Sequence, residues 1–299
     1  MTMLTRRAVI AAAALAPVAL RAAEALPGTI TRHANVAGAG LLPRHIEVWR
    51  PDGSDGKALP LLVMHDGQNL FTGEYAYGGQ SWGVVEAVTR LVAAGSIPPI
   101  MIAGVWNSAQ RWRDYVPADL VRRLPEVMQT RFITSQQGGS LSTAYLAFLA
   151  DTVVPMLRRD YPVAPGKVAI MGSSMGGLAS LNALLLRPDV FDRAGCVSTH
   201  WPILNPEPAE APKVSAAIRG YLDANLGKPA GRKLWFDHGD QTLDQYYAPF
   251  QAVADARVKA HGWQTPGDTI TRAYPGAAHN EASWRARVAD PLTFLFKQA

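Results

Sequence analysis

The sequence predicts an α/β protein, a single domain with a mostly parallel sheet covered by helices on both faces. Three observations carry this prediction. Short apolar runs recur without polar alternation, as strands buried on both faces require. Helical patterns fall between those runs, in the order that builds a sheet with helices on either side. One apolar run leads directly through a glycine-rich turn into an apolar helix, a strand–turn–helix unit. The length of 299 residues fits one large α/β domain, and 48% hydrophobic residues suffice for a core of that size.

Taken in order, Thr29 to Asn35 and His45 to Arg50 read as an opening β-hairpin. The buried strands follow at Leu59–His65, Ile100–Trp106, Val168–Met171, Ala194–Ser198 and Leu234–Asp237, with a shorter one at Thr269–Tyr274. Helices are expected at Trp82–Ala94, where Val84, Val85, Ala87, Val88, Leu91 and Val92 form an apolar face, and at Tyr145–Leu157. Two more follow at Leu178–Leu185 and Glu281–Phe296. The stretch from His200 to Lys233 is rich in proline and holds one helical pattern, Val214–Leu226. It reads as an insertion at about 200–233, lying over the strand ends where such sheets bind ligands.

Composition narrows the function. A single cysteine, Cys196, excludes a disulfide scaffold and a cysteine-rich zinc module. Residues 1–25 read as a cleaved export signal of the twin-arginine type. Arg6 and Arg7 precede an apolar run from Ala8 to Leu20, and Ala23-Glu24-Ala25 offers a small-x-small cleavage site. The run is shorter than the roughly 20 residues of a membrane span, so no stable membrane insertion is expected after cleavage. Removing Arg6, Arg7, Arg21 and Glu24 lowers the net charge from +5 to +3. With no basic cluster in the sequence, that balance argues against a nucleic-acid partner. A periplasmic or secreted bacterial protein is the expectation; the oligomeric state carries no signal.

The chemistry centres on Gly172-Ser173-Ser174-Met175-Gly176, a Gly-x-Ser-x-Gly pattern between an apolar strand and an apolar helix. Such a turn is too tight for Cβ atoms at its glycines, and it presents Ser174 above the sheet at the helix N-terminus. The backbone N–H of Met175 would face an oxyanion there. A serine hydroxyl needs a base, and in this strand order acid and histidine follow the serine. His33, His45 and His65 precede it. Of the rest, His279 lies in a late loop after a strand and before the last helix, the position expected of the base. The acid comes from the loop after Leu234–Asp237, which offers Asp244 or, alternatively, Asp240. The second oxyanion donor is expected from the loop after the Leu59–His65 strand, at the N–H of Gly67 or Gln68. Asp66 and Asn69 can hold that turn by local hydrogen bonds. His65 and Asp66 lack a third ligand at metal spacing, so no metal is expected.

The segments His65-Asp-Gly-Gln-Asn-Leu-Phe, Gly172-Ser-Ser-Met-Gly-Gly-Leu, Phe236-Asp-His-Gly and Pro275-Gly-Ala-Ala-His-Asn-Glu occur in this order. Together they resemble the Putative esterase family of the α/β-hydrolases, which includes esterase D-like and enterochelin esterases. The resemblance runs from about Arg44 to the C-terminus. It implies an α/β-hydrolase fold, Ser174 as nucleophile, His279 as base, an oxyanion loop at Gly67 and Gln68, and no cofactor. Many relatives carry an acid two positions after the glycine that follows the strand; here that place is Gln241, leaving Asp244 as the match. The resemblance also brings Arg111 towards the site, where it could meet an anionic substrate group. Trp201 could line an acyl or aromatic pocket. The expected activity is hydrolysis of a small-molecule carboxylic ester through an acyl-enzyme. An acyltransferase using the same intermediate, or an inactive hydrolase fold that only binds, are the alternatives.

Overall fold

A computed structural model describes residues 26–204 and 207–297; residues 1–25, read above as an export signal, lie outside them. Eight strands form one sheet: β1 (Thr29–Gly38), β2 (Leu41–Arg50), β3 (Leu61–His65), β4 (Met101–Val105), β5 (Val168–Ser173), β6 (Phe191–Val197), β7 (Lys233–His238) and β8 (Thr269–Ala273). Their order across the sheet is β1-β2-β4-β3-β5-β6-β7-β8. The opening hairpin β1–β2 is antiparallel and pairs antiparallel with β4; β3 to β8 run parallel.

The continuous apolar runs become the central strands because both faces of the sheet are covered. Every residue of β3, β4 and β5 is buried. Successive side chains of β3 alternate between two cores. Leu61 and Val63 enter the larger one with the helices Ser142–Ala147, Met175–Leu186, Ala211–Asn225 and Ala248–Ala260. Leu62 and Met64 enter the other with the helices Val84–Ala93 and Ala289–Phe296. Helix Met175–Leu186 is buried at all positions from Met175 to Leu185, which is why it carries no polar face.

Two expectations are corrected. The helix of the 200–233 segment does not lie over the strand ends. This helix, Ala211–Asn225, is the crossover between β6 and β7, with Val214, Ile218, Tyr221 and Leu222 packed in the larger core. The segment that reaches the strand ends is instead the long β4–β5 connection, beginning with Asn107 and the short helix Arg111–Tyr115. The final helix is in fact two, Glu281–Arg287 and Ala289–Phe296.

Candidate active site

The site lies beyond the C-terminal ends of the parallel strands, where the chain leaves β3, β5, β6 and β7. Four non-glycine residues there take left-handed φ: Asp66 (55°), Ser174 (58°), Ser198 (42°) and Thr242 (53°). Conformations of this kind cost of order 1–3 kcal/mol each and cluster where function over-determines them. Ser174, with φ 58° and ψ −122°, is the residue between β5 and its helix. A Cβ at Gly172 would come within 2.9 Å of the Gly176 backbone and of the His65 ring, so the turn requires glycine at Gly172. At Gly176 the nearest contact is milder, 3.3 Å to His65 Cβ.

His279 and Asp244 meet. The Nδ1–H of His279 donates to Asp244 Oδ1 at 2.6 Å, and the His279 backbone N–H donates to Thr242 Oγ1 at 2.8 Å. The two loops are also joined by the N–H groups of Asp240 and Gln241, which both donate to the Ala277 carbonyl. Asp244 is fully buried, and its Oδ2 accepts from Ser198 Oγ and from the Gly239 N–H, each at 2.6 Å. Burial raises the carboxyl pKa, but the hydrogen bonds from His279, Ser198 and Gly239 outweigh it and hold Asp244 below the usual carboxylate range. Asp240 does otherwise: it is exposed and accepts from the Gly276 N–H and Gln241 Nε2.

Behind Asp244 lies a buried polar group that no sequence motif announced. Ser198 Oγ donates to Asp244 and accepts from Trp284 Nε1 (3.0 Å) and Arg287 Nη2 (2.7 Å), which exhausts its hydrogen-bonding capacity. Arg287 pairs in turn with Asp237 Oδ1 at 3.0 Å. The only signal for it was a basic residue one helix turn after a tryptophan in the last helical pattern, which says nothing about its partner across the sheet.

Ser174 and His279 line one pocket of about 500 Å³, together with Asp66, Gln68, Asn69, Tyr75, Tyr77, Asn107, Arg111, Glu281 and Trp284 among others. Of the expected oxyanion positions, Gln68 faces this pocket. Gly67 sits beneath it, so close to β4 that a Cβ would lie 2.5 Å from the Gly104 backbone. Met175 is the first residue of its helix, so its N–H has no partner within the helix.

Two substrate-binding expectations change. Arg111 reaches the pocket, but its Nε and Nη2 both bind Asp66, each at 2.7 Å, and Asn107 Nδ2 adds a third bond at 2.7 Å. Its charge is thus paired with a buried carboxylate, and the Asp66 side chain is held by Arg111 and Asn107 while its carbonyl accepts from the Asn69 N–H within its own turn. Trp201 is fully buried in the larger core; its Nε1 donates to Gln251 Oε1 at 2.8 Å, its ring packs on Phe236, and it does not line the pocket. Tyr75, Tyr77 and Trp284 carried no motif and are brought in by folding, whereas Glu281 closes the Pro275–Glu281 segment of the resemblance. Among the described residues no group of three or more His, Cys, Asp or Glu is arranged to hold a metal ion, and no helix is long and apolar enough to cross a membrane.

Comparison with known proteins agrees with this architecture. A family model described as "Putative esterase" matches residues 42–294. Ferri-bacillibactin esterase BesA of Bacillus subtilis is 27% identical over 165 residues, covering 52% of this chain and 54% of that protein. The chain's match thus spans about half the length of the curated relatives it matches. Among solved structures, an IroE-like serine hydrolase from Shewanella oneidensis superposes with a TM-score of 0.64 at 15% identity, over 90% of this chain and 80% of that one. The enterobactin esterase FES from Shigella flexneri gives 0.61 at 16% identity, over 90% and 59%. At these identities the structural likeness speaks to the fold.

Proposed function

The chain belongs to the Putative esterase family, whose model spans residues 42–294, and from that premise we propose that it is a serine esterase acting on a small-molecule carboxylic ester. The observation that carries the reading is the 2.6 Å bond from His279 Nδ1 to the buried Asp244, at a pocket shared with the strained Ser174. With Nδ1–H held by Asp244, His279 keeps its Nε2 lone pair free to take a proton.

Ser174 Oγ attacks the ester carbonyl and passes its proton to His279 Nε2. The tetrahedral oxyanion is met by the N–H of Met175 and by that of Gly67 or Gln68, donors worth about 2.7–4 kcal/mol each in comparable sites. The C–O bond to the alcohol breaks as His279 returns the proton to the leaving oxygen. Water then attacks the acyl-Ser174 carbonyl, giving one proton to His279, and the carboxylic acid leaves as Ser174 recovers its proton. The ionised Asp244 stabilises the imidazolium in both halves. No cofactor enters the scheme. Residues 1–25 would direct the folded enzyme out of the bacterial cytoplasm before being removed after Ala25.

Labelling the protein from its native host with a fluorophosphonate, followed by peptide mass spectrometry, tests both statements. We expect one adduct, on Ser174, in a chain beginning at Leu26. An unlabelled Ser174 in folded protein overturns the esterase reading, and an intact Met1 on the exported form overturns the signal reading.

A further inference from the structure

Glu281 is the first residue of the helix after His279, and it lines the pocket that contains Ser174. Only 8% of it is exposed. Its carboxyl reaches its own backbone N–H, and among the described residues no other group bonds it. An acid in the first helical turn gains from the helix dipole. That accounts for the residue type but supplies no cationic partner for a carboxylate that faces the pocket.

The neighbouring cations are all engaged elsewhere. Arg111 is bound at Nε and Nη2 by Asp66, Arg287 by Asp237, Arg285 by Glu86 at 2.8 Å, and Arg32 by Glu47. Asp66 and Arg111 are paired with each other, so Glu281 adds a carboxylate to the pocket that no cation binds directly. Burial, and then the nearby Asp66 carboxylate, push its carboxyl above the usual range against the pull of its own backbone N–H, His279 and Arg111. The aromatic residues of the same pocket favour the same sign. Tyr75, Tyr77 and Trp284 line it, and ring faces attract cations; Tyr75 already holds the Arg32 guanidinium 5.1 Å from its ring centre.

We propose that Glu281 is a specificity-determining residue that receives an ammonium group of the substrate, so that the pocket selects amino-bearing esters over neutral and anionic ones. The proposal rests on the esterase reading in taking an ester as the ligand. Its test is nevertheless separate, because binding can be measured without turnover. Calorimetric titration of the Ser174→Ala protein with ethyl 4-aminobutyrate, ethyl 4-hydroxybutyrate, ethyl butyrate and monoethyl succinate ranks the four groups on one acyl chain.

The ammonium ester is expected to bind at least about tenfold more tightly than the carboxylate ester, a difference of about 1.4 kcal/mol. Raising NaCl from 20 to 500 mM should narrow that gap, as screening requires. Adding Glu281→Gln should bring the two esters within about twofold. Equal binding of all four esters overturns the proposal. So does a ranking that survives Glu281→Gln, or a hydroxyl ester that matches the ammonium ester. The salt dependence is read on the Glu281 protein, so it stands even if Glu281→Gln folds poorly. Wild-type hydrolysis and Ser174 labelling report the catalytic reading independently: labelling without charge ranking sinks only the role of Glu281.

Discussion

Asp244 uses both carboxylate oxygens, one for His279 and one for Ser198 and Gly239, whereas Asp240 spends its bonds on Gly276 and Gln241 at the surface. The two aspartates, four residues apart in one loop, are therefore expected to differ in effect. Asp244→Asn removes the charge that steadies the imidazolium and permits the wrong histidine tautomer, which should lower kcat by about 10³–10⁴ with little change in KM. Asp240→Asn should stay within about threefold, as exposed polar substitutions usually do. Steady-state kinetics on both variants decides; the reverse ranking would return the acid role to Asp240. Chain order together with local position singled out Ser174 and His279 as candidates, because a strand–turn–helix motif and a late loop are local features. It left two aspartates open, because which side chain of a loop turns inward depends on what the other loop offers, here the Ala277 carbonyl that pins Asp240 and Gln241 by their N–H groups.

At the scale of elements, the apolar runs located the five central strands, since burial on both faces removes polar alternation. Boundaries moved by a few residues, as for the helix expected at Trp82–Ala94 and observed at Val84–Ala93. The helix expected at Tyr145–Leu157 runs from Ser142 to Asp160 through a π-helical segment, Phe148–Val153, whose extra residue per turn leaves no mark on apolar spacing. The hydrogen bonds that join the two site loops need a glycine to let the loops approach. A Cβ at Gly239 would run into the Ala277 carbonyl oxygen, so Gly239→Ala should push the acid loop off the histidine loop. We expect a stability loss of about 1–3 kcal/mol, as for other forced overpacking, and a fall in kcat of at least about tenfold, the order lost when a catalytic base is misplaced. Urea unfolding and kinetics on the same preparation measure both. Unchanged kcat would show that the loops do not depend on this contact.

Across the whole molecule, two buried histidines tie stability to pH. His65 packs beneath the Ser174 turn with its Nδ1 on Tyr145 OH at 2.9 Å, and His200 holds Tyr247 OH at 2.7 Å. In both, Nε2 is buried without a partner, and burial lowers the pKa to about 3. A folded-state pKa below the unfolded one means that the unfolded chain binds more protons as pH falls from about 6.5 towards 3. Stability is then present above the unfolded pKa and lost on acidification, by about 1.4 kcal/mol per pH unit for each histidine across that window. Asp237 and Glu281, whose pKa values burial raises, oppose part of this slope, so the informative quantity is a difference. Wild-type protein should lose up to about 2.7 kcal/mol more per pH unit than His65→Gln/His200→Gln between pH 6 and 4. Urea midpoints at three pH values measure it, and parallel slopes would contradict the assignment.

By itself the sequence determined the sheet, its parallel core, the turn that carries Ser174 and the loop that carries His279, because each is written in residues adjacent along the chain. The tertiary structure decided which aspartate faces His279, that Arg111 is paired with Asp66, that Trp201 is core, and that Glu281 faces the pocket with no cation bound directly to it among the described residues. Those outcomes depend on contacts between segments 35 to 89 residues apart, such as His279 with Asp244, Arg111 with Asp66 and Arg287 with Ser198. A charged or aromatic side chain has the same local signature whether its partner is another residue, a ligand or water; only the fold supplies the partner.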